Sequence, residues 1–309
     1  MNVACRTILS SAARQKSCGA SGATSRGSFA ASLPNALVSP SASPCMAKLL
    51  ASGASCLLLG AGCGMGGPLL HGPHVLAPGV VRVAGGVSSQ FATGAGRIAI
   101  ENARALADNP AGDSASQVRD TQARAAAAVL AFGPGTSAVL SARVGLPGDN
   151  EGGITYTGQL VRGDARHMFE FGAVALSLGA GLSADTYVGR DPRYPVEVKR
   201  QFSVPGIDVP VLLGWQDKNH VLTLWAGARG GYRTARGMVN LEGSATADTF
   251  DVATWHVGGL VGLELGFRHV HGVMELDVDY GRAHGSVGSL RADLGATTIT
   301  PASGLAFSF

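Results

Sequence analysis

From Trp255 to Arg268 the side chains alternate without a break in parity. Trp255, Val257, Val261, Leu263, Leu265 and Phe267 fall on one face. His256, Gly258, Gly262, Glu264, Gly266 and Arg268 fall on the other. Successive side chains of an extended strand point to opposite sides, which gives this period of two. An amphipathic helix would instead group its apolar residues at i, i+3, i+4 and i+7. The same alternation recurs in 81–91 (Val81, Val83, Val87 and Phe91 against Arg82, Ser88 and Gln90), in 207–215 and in 222–233. It appears again at Met274, Leu276, Val278 and Tyr280 against Glu275, Asp277 and Asp279. Glycine stands at many interior positions of these segments, and in a helix each would cost about 1 kcal/mol against alanine.

Ten strands account for the pattern, at about 80–92, 122–132, 137–146, 152–168, 173–187, 206–215, 220–235, 251–268, 273–283 and 297–309. Tight connections at 133–136, 169–172, 216–219 and 269–272 alternate with longer ones, 147–151 being the short exception. Short turns on one side, long loops on the other and an even strand number are the habit of bacterial membrane barrels. The expected fold is therefore all-β, an antiparallel up-and-down transmembrane barrel over 80–309 with both ends on the short-turn side. Two segments fit less cleanly. Residues 122–132 are alanine-rich and compatible with a helix, which would reduce the count toward eight. In 152–168, Arg162, Asp164 and Arg166 fall on the parity of Ile154 and Tyr156, as a bulge near 160–161 would produce.

Composition narrows the functional classes. Charged residues are 15% and glycine contributes 45 of 309 residues, with a mean hydropathy of +0.21. No apolar, glycine-poor run reaches the roughly 18 residues of a membrane-spanning helix. The formal charge of +3 comes from the N-terminal region: five of the 24 basic residues and none of the 21 acidic ones lie in 1–63, which leaves the remainder at −2. A nucleic-acid partner is not indicated. All five cysteines (Cys5, Cys18, Cys45, Cys56 and Cys63) also lie in that region, so the body needs neither a disulfide nor a thiolate metal site.

Met46-Ala47-Lys48 precedes an apolar stretch from Leu49 to Leu59 and then Gly60-Ala61-Gly62-Cys63. A basic start, an apolar middle and a small-residue end are the parts of an export signal. Residues 46–63 resemble a bacterial lipoprotein signal, and the resemblance implies lipidation at Cys63. The family usually places leucine three residues before the cysteine, where this chain has Gly60. Residues 1–45 read as a disordered leader or a mis-called start, and 64–79, rich in glycine, proline and histidine, as a periplasmic linker. As an architecture, 80–309 resembles small bacterial outer-membrane barrel proteins. Leu305-Ala306-Phe307-Ser308-Phe309 resembles their sorting signal, with Phe307 and Phe309 its aromatic residues. The resemblance implies insertion by the barrel assembly machinery, outer-membrane lipid as a partner, and no cofactor.

Inward parity holds Arg82, Arg143, Asp208, Arg229, Arg233, Glu264, Arg268, Glu275, Asp277 and Asp279. A barrel this small has an interior nearly filled by side chains, and buried charges have to pair. The expected arrangement is a lumen charge network of Arg229, Arg233, Glu264, Arg268, Glu275, Asp277 and Asp279. Four of these carboxylates could alternatively hold Ca²⁺. The expected role is structural or that of a narrow, porin-like channel, without catalysis. A lipid-modifying enzyme using His284, Ser286 or His256 is the alternative, although nothing orders these into a triad. His269 and His271 read as solvated turn residues. A third reading, a soluble periplasmic lipoprotein with a lipocalin-like or sandwich β-fold, puts the same apolar face inward. Alternation alone does not say which face is inside.

Overall fold

The computed structural model describes residues 67–108, 114–158, 160–185, 197–200, 206–241 and 248–309. In chain order the elements are β1 (Val81–Ala92), α1 (Gly94–Asp108), α2 (Ala115–Phe132), β2 (Gly135–Leu146), β3 (Asn150–Tyr156), β4 (Leu160–Phe171) and β5 (Val174–Asp185). They continue with β6 (Glu197–Arg200), β7 (Gly206–Gln216), β8 (Leu222–Asn240), β9 (Asp248–Phe267), β10 (Val270–Val287) and β11 (Leu290–Ser308).

Ten of these strands form a closed, up-and-down antiparallel barrel. Each pairs with its neighbour in sequence, and β1 closes the ring against β11, with Val83 opposite Phe307 and Phe91 opposite Ile299. The short β6 adds to the upper part of β8 through Glu197↔Asn240. The parity seen in the sequence separates outside from inside. Trp255, Val257, Val261, Leu265 and Phe267 face outward, while Thr254, His256, Leu260 and Glu264 are buried. A soluble barrel would place those apolar side chains within.

The count of ten is reached by a different route from the one expected. Residues 122–132 belong to helix α2, so the strand expected there is absent. Alanine is the strongest helix former, and the ends of α2 carry their own signals. Ser114 and Gln117 form a reciprocal capping box, and Gly133 ends the helix with φ 38°, its N–H bonded to the Val129 carbonyl at 3.0 Å. The lost strand is regained where 152–168 divides into β3 and β4. The shift of parity there comes from a chain reversal at Gly158 in place of a bulge, and Tyr156 pairs with Val161 across it. The loop expected at 284–296 is strand as well, since β10 and β11 pair out to Val287↔Leu290.

The barrel is uneven in height. Strands β8 to β11 run 18 to 20 residues, while β1 to β5 and β7 run 7 to 12. The tall wall rises at the end where α1 and α2 lie, here called the helical end. The other, terminal end holds the start of β1, the end of β11 and the short turns. Val252, Val287, Leu294 and Ala296 on the inner face of the wall form one apolar core with Ala126, Ala127 and Phe132 of α2. Runs of alanine let a helix approach a sheet closely, and Ala126 to Ala128 are fully buried. Neither helix is long and apolar enough to cross a membrane.

Candidate functional site: a filled lumen and a banded outer surface

Residues 67–73 are buried inside the barrel, 74–76 are half-buried and 77–79 are exposed at its terminal end, in place of the periplasmic linker expected for 64–79, whose first three residues lie outside the described ones. Leu69 and Leu70 are 2% and 3% exposed, packed in a core with Trp225, Leu212 and Val273. The segment begins beside Thr157, at the helical end of β3, where a Cβ on Gly67 would meet the Thr157 methyl. It reaches the terminal end at Gly79, whose N–H bonds the Gly145 carbonyl at 2.9 Å. Between these points it makes no sheet. Charged side chains from the wall hold it.

Glu275 of β10 accepts from the N–H groups of Leu69 (2.6 Å) and Leu70 (3.1 Å). Glu151 of β3 accepts from Leu76 at 2.8 Å. Arg229 of β8 donates to the Gly67 carbonyl at 2.8 Å. Arg166 of β4 donates to the Gly72 carbonyl, the His74 carbonyl and His71 Nδ1. The wall also leaves space. A Cβ at Gly145 would collide with the Leu76 and Ala77 carbonyl oxygens, and one at Gly214 would press on the Pro73 ring.

Three ionic groups occupy the remaining interior. In one, Arg143 pairs with Glu151 and with Asp164 (2.7 Å), Arg162 with Asp164 (3.3 Å) and Asp208 (2.8 Å), and Arg166 with Glu151 (2.9 Å). In the second, Glu264 meets Arg82 at 2.7 Å and His271 at 2.9 Å. In the third, Arg229 pairs with Asp279 through both of its carboxylate oxygens and lies 3.4 Å from Asp277. Charges this deep are tolerated only when paired and hydrogen-bonded.

Set against the expected lumen network, Arg229, Asp277 and Asp279 come together as one cluster. Glu275 sits close by but spends both oxygens on the segment, and Glu264 belongs to a different group, opposite Val273 and not Asp277. The four carboxylates therefore do not converge as calcium ligands. Arg233 donates to the Leu130 (2.8 Å) and Ala131 (3.0 Å) carbonyls. There its charge complements the negative end of α2. Arg268 is not in the lumen: it is exposed in the β9–β10 turn, with its guanidinium 5.2 Å from the Phe267 ring centroid. His271, expected to be solvated, turns inward to Glu264. The residues that sequence reasoning missed are Glu151, Arg162, Asp164 and Arg166. Glu151 fell in the connection expected at 147–151, and Arg162, Asp164 and Arg166 were seen only as a parity break attributed to a bulge near 160–161, so none of the four entered the expected network.

The outer surface is banded. At the terminal end, Phe169, Phe171, Trp215, Phe267 and Phe307 are exposed and form one aromatic row. Higher up stand Phe91, Tyr232, Trp255 and Tyr280, the last two in edge contact with centroids 5.8 Å apart. Between the rows the outward residues of β10 are Met274, Leu276 and Val278. At a rise of about 3.4 Å per residue and a tilt of about 40°, the ten steps from Val270 to Tyr280 span about 26 Å. Immediately above Tyr280 the outward face becomes polar. Arg282 pairs with Asp293 (2.7 Å) and Arg236 with Asp251 (2.9 Å), all well exposed. The Arg282 hydrogen bonds hold the Asp293 carboxyl below the ordinary carboxylate range. Of the C-terminal aromatics, Phe307 faces outward in the barrel seam, and Phe309 exchanges backbone bonds with Val81 at 2.9 and 3.1 Å. Cys63 and the 46–63 signal lie outside the described residues.

No family model matches this chain, and no curated protein matches it. Among solved structures it is similar to Neisserial surface protein A, at 12% identity over 75% of this chain and 99% of that one, with a TM-score of 0.27. It is similar also to Ail, the attachment invasion locus protein of Yersinia pestis, at 11% identity over 74% and 99% of the two chains (TM-score 0.25). The outer-membrane expressed OmpT of Vibrio cholerae is 9% identical over 73% of this chain and 77% of that one (TM-score 0.21). Identities this low carry neither a ligand nor a role to this chain.

Proposed function

We propose that this chain is an outer-membrane β-barrel with a structural role, its lumen closed to solutes and its helical end projecting outside the membrane. The observation that carries the reading is the switch on the outer face of β10. Apolar residues run from Val270 to Tyr280 and give way to Arg282 and His284 one step beyond the aromatic row. A bilayer core demands this kind of band: outward apolar residues about 25 Å tall, flanked by aromatic rows. Short turns at the terminal end assign that end to the periplasm.

The filled lumen favours a structural barrel over a porin-like channel. The segment 67–79 and three ionic groups occupy the space that water would need. The reading carries no catalytic step. His284 and Ser286 share the outer face of β10, but Asp293 opposite His284 is engaged by Arg282. Export by 46–63, a lipid anchor at Cys63, and recognition of Phe307 and Phe309 by the barrel assembly machinery complete the proposal. Outer-membrane lipid is the partner of the apolar band.

The test is expression of the full chain in a Gram-negative host, followed by gel mobility of the outer-membrane fraction with and without boiling. The expected result is a heat-dependent shift in that fraction, with no stepwise conductance in planar bilayers. Recovery as a soluble periplasmic protein would overturn the membrane reading, and steady single-channel steps would overturn the closed lumen. Incorporation of labelled palmitate that is lost in Cys63→Ser tests the anchor.

A further inference from the structure

We propose that the lumen is a binding site for a non-helical polypeptide segment, recognised through its main chain, and that residues 67–79 are its intramolecular occupant. The inference rests on the closed barrel and not on where the barrel resides.

The contacts define what the site reads. Glu275, Glu151, Arg229 and Arg166 reach from four different strands, and apart from the Arg166 bond to His71 all their bonds to the segment go to peptide N–H or C=O groups. Even Met168 takes part in this way, accepting from the Val75 N–H at 3.4 Å. Peptide groups are common to any sequence. Side-chain selectivity enters at two adjoining places, where Leu69 and Leu70 enter the apolar core around Trp225 and Leu212. The wall is shaped for a close-lying backbone at Gly145, and it meets a proline at Gly214. The occupant contributes no strand to the sheet, so the barrel's own ladder is complete without it. A segment held by side chains from Gly67 to Leu76, and by one backbone bond to the wall only at its exit, Gly79 to Gly145, is related to that closed wall as a ligand is to its receptor. The ligand class is a non-helical peptide with two adjacent apolar residues, the second of them in the left-handed conformation that Leu70 adopts at φ 52°. The segment satisfies Glu275 and Arg166 in the resting protein, which keeps the site filled.

The experiment uses the full chain in detergent, with a protease recognition sequence inserted between Pro78 and Gly79, where the backbone is exposed. After cleavage of the folded protein, the N-terminal fragment is expected to co-elute with the barrel. A fluorescent synthetic peptide of residues 67–79 should displace it. Replacing His71, His74 and Val75 of the peptide by alanine should change its affinity by no more than about threefold. Methylating the Leu69 and Leu70 nitrogens removes two bonds to the buried Glu275 carboxyl and should weaken binding by about tenfold or more. Failure of the peptide to exchange, while the cleaved barrel keeps its heat-shifted mobility, would overturn the proposal. So would equal binding of the methylated peptide.

A second measurement needs no cleavage. In the intact chain the Leu69 and Leu70 amides should be protected from hydrogen exchange, and Glu275→Gln should speed their exchange by about tenfold. Unprotected amides in the unsubstituted protein would also overturn the proposal. A barrel that fails to reach the outer membrane but still binds the peptide would sink the functional reading alone.

Discussion

Glu275 and Leu69 are joined by a 2.6 Å hydrogen bond between a carboxylate on β10 and a backbone N–H lying inside the barrel, 206 residues away in sequence. The same carboxylate holds Leu70, and its residue is 4% exposed. Glu275→Ala strands both N–H groups in a dry interior, at a cost of about 1–3 kcal/mol for each. Denaturant midpoints in detergent or lipid should fall accordingly, and Glu275→Gln, which keeps one acceptor oxygen, should fall less. Equal stability of the alanine variant would show that the segment contributes nothing to the fold.

Gly262 lies directly beneath the Trp225 indole, where a Cβ would overlap the ring. Gly262→Ala should displace Trp225 and cost about 1–3 kcal/mol through overpacking. Tryptophan emission reports the displacement, since Trp225 is buried while Trp215 and Trp255 face outward. An unchanged spectrum with unchanged stability would contradict the packing described.

Val261 is outward and mid-band, midway between Trp255 and Phe267 on β9, whereas Arg282 lies beyond Tyr280. Val261→Arg should destabilise a lipid-embedded barrel by about 2–4 kcal/mol, measured by refolding into vesicles. Arg282→Ala removes only an exposed pair, worth about 0–1 kcal/mol. Indifference to Val261→Arg would mean that this face meets water.

Phe132 closes the core between α2 and the tall wall and is fully buried. Phe132→Ala should cost about 3–5 kcal/mol. The loss should fall on the helical end. Limited proteolysis should open 94–132 while the heat shift of the barrel remains. Loss of the heat shift together with the helices would tie cap and barrel into one cooperative unit.

Asp217, in the β7–β8 turn, accepts from the backbone N–H of Leu222 (2.7 Å), Val221 (2.7 Å) and Asn219 (3.1 Å), and these bonds hold its carboxyl below the ordinary carboxylate range. Because the folded value is the lower one, the stabilisation is complete above the unfolded carboxylate pKa and is lost as pH falls through the folded one. Asp217→Asn should remove this acid dependence and lower stability at neutral pH toward that of the acid form, so that the variant and the unsubstituted protein converge as the pH falls. Chemical shifts of the Val221 and Leu222 amides across an acid titration report it directly.

The parts of the fold that were readable without coordinates are those where one face is apolar and the other carries small and charged residues. Residues 255–268 are the clearest case, because every step between Trp255 and Phe267 alternates. Legibility ended where that contrast ended. Above Tyr280 the outer face becomes polar and the inner face packs on α2, so His284 and Asp293 looked like loop residues although they sit in strands β10 and β11. In 122–132, alanine satisfies a strand pattern and a helix pattern equally, and only the cap residues Ser114, Gln117 and Gly133 decide between them. Arg229, Asp277 and Asp279 were assigned to the correct face, whereas Arg268, one step past the end of β9, was not. Glu151 was lost in the connection expected at 147–151, and Arg166 in the parity break of 152–168. The segment 67–79 was unreadable in principle. It has no periodicity, and what fixes it is a set of partners far away in the chain.

The pairing of Val83 with Phe307 sets the order in which the molecule can be assembled. The first strand is synthesised long before the last, and until β11 exists one edge of β1 has no ladder to join. An unpaired apolar edge is a template for association with other chains, so this protein spends its whole synthesis in a state that needs an escort. Residues 67–79 precede even β1, and the strands that bury them come later. Closure of the seam thus happens around a segment already waiting, as staves are drawn up around a core.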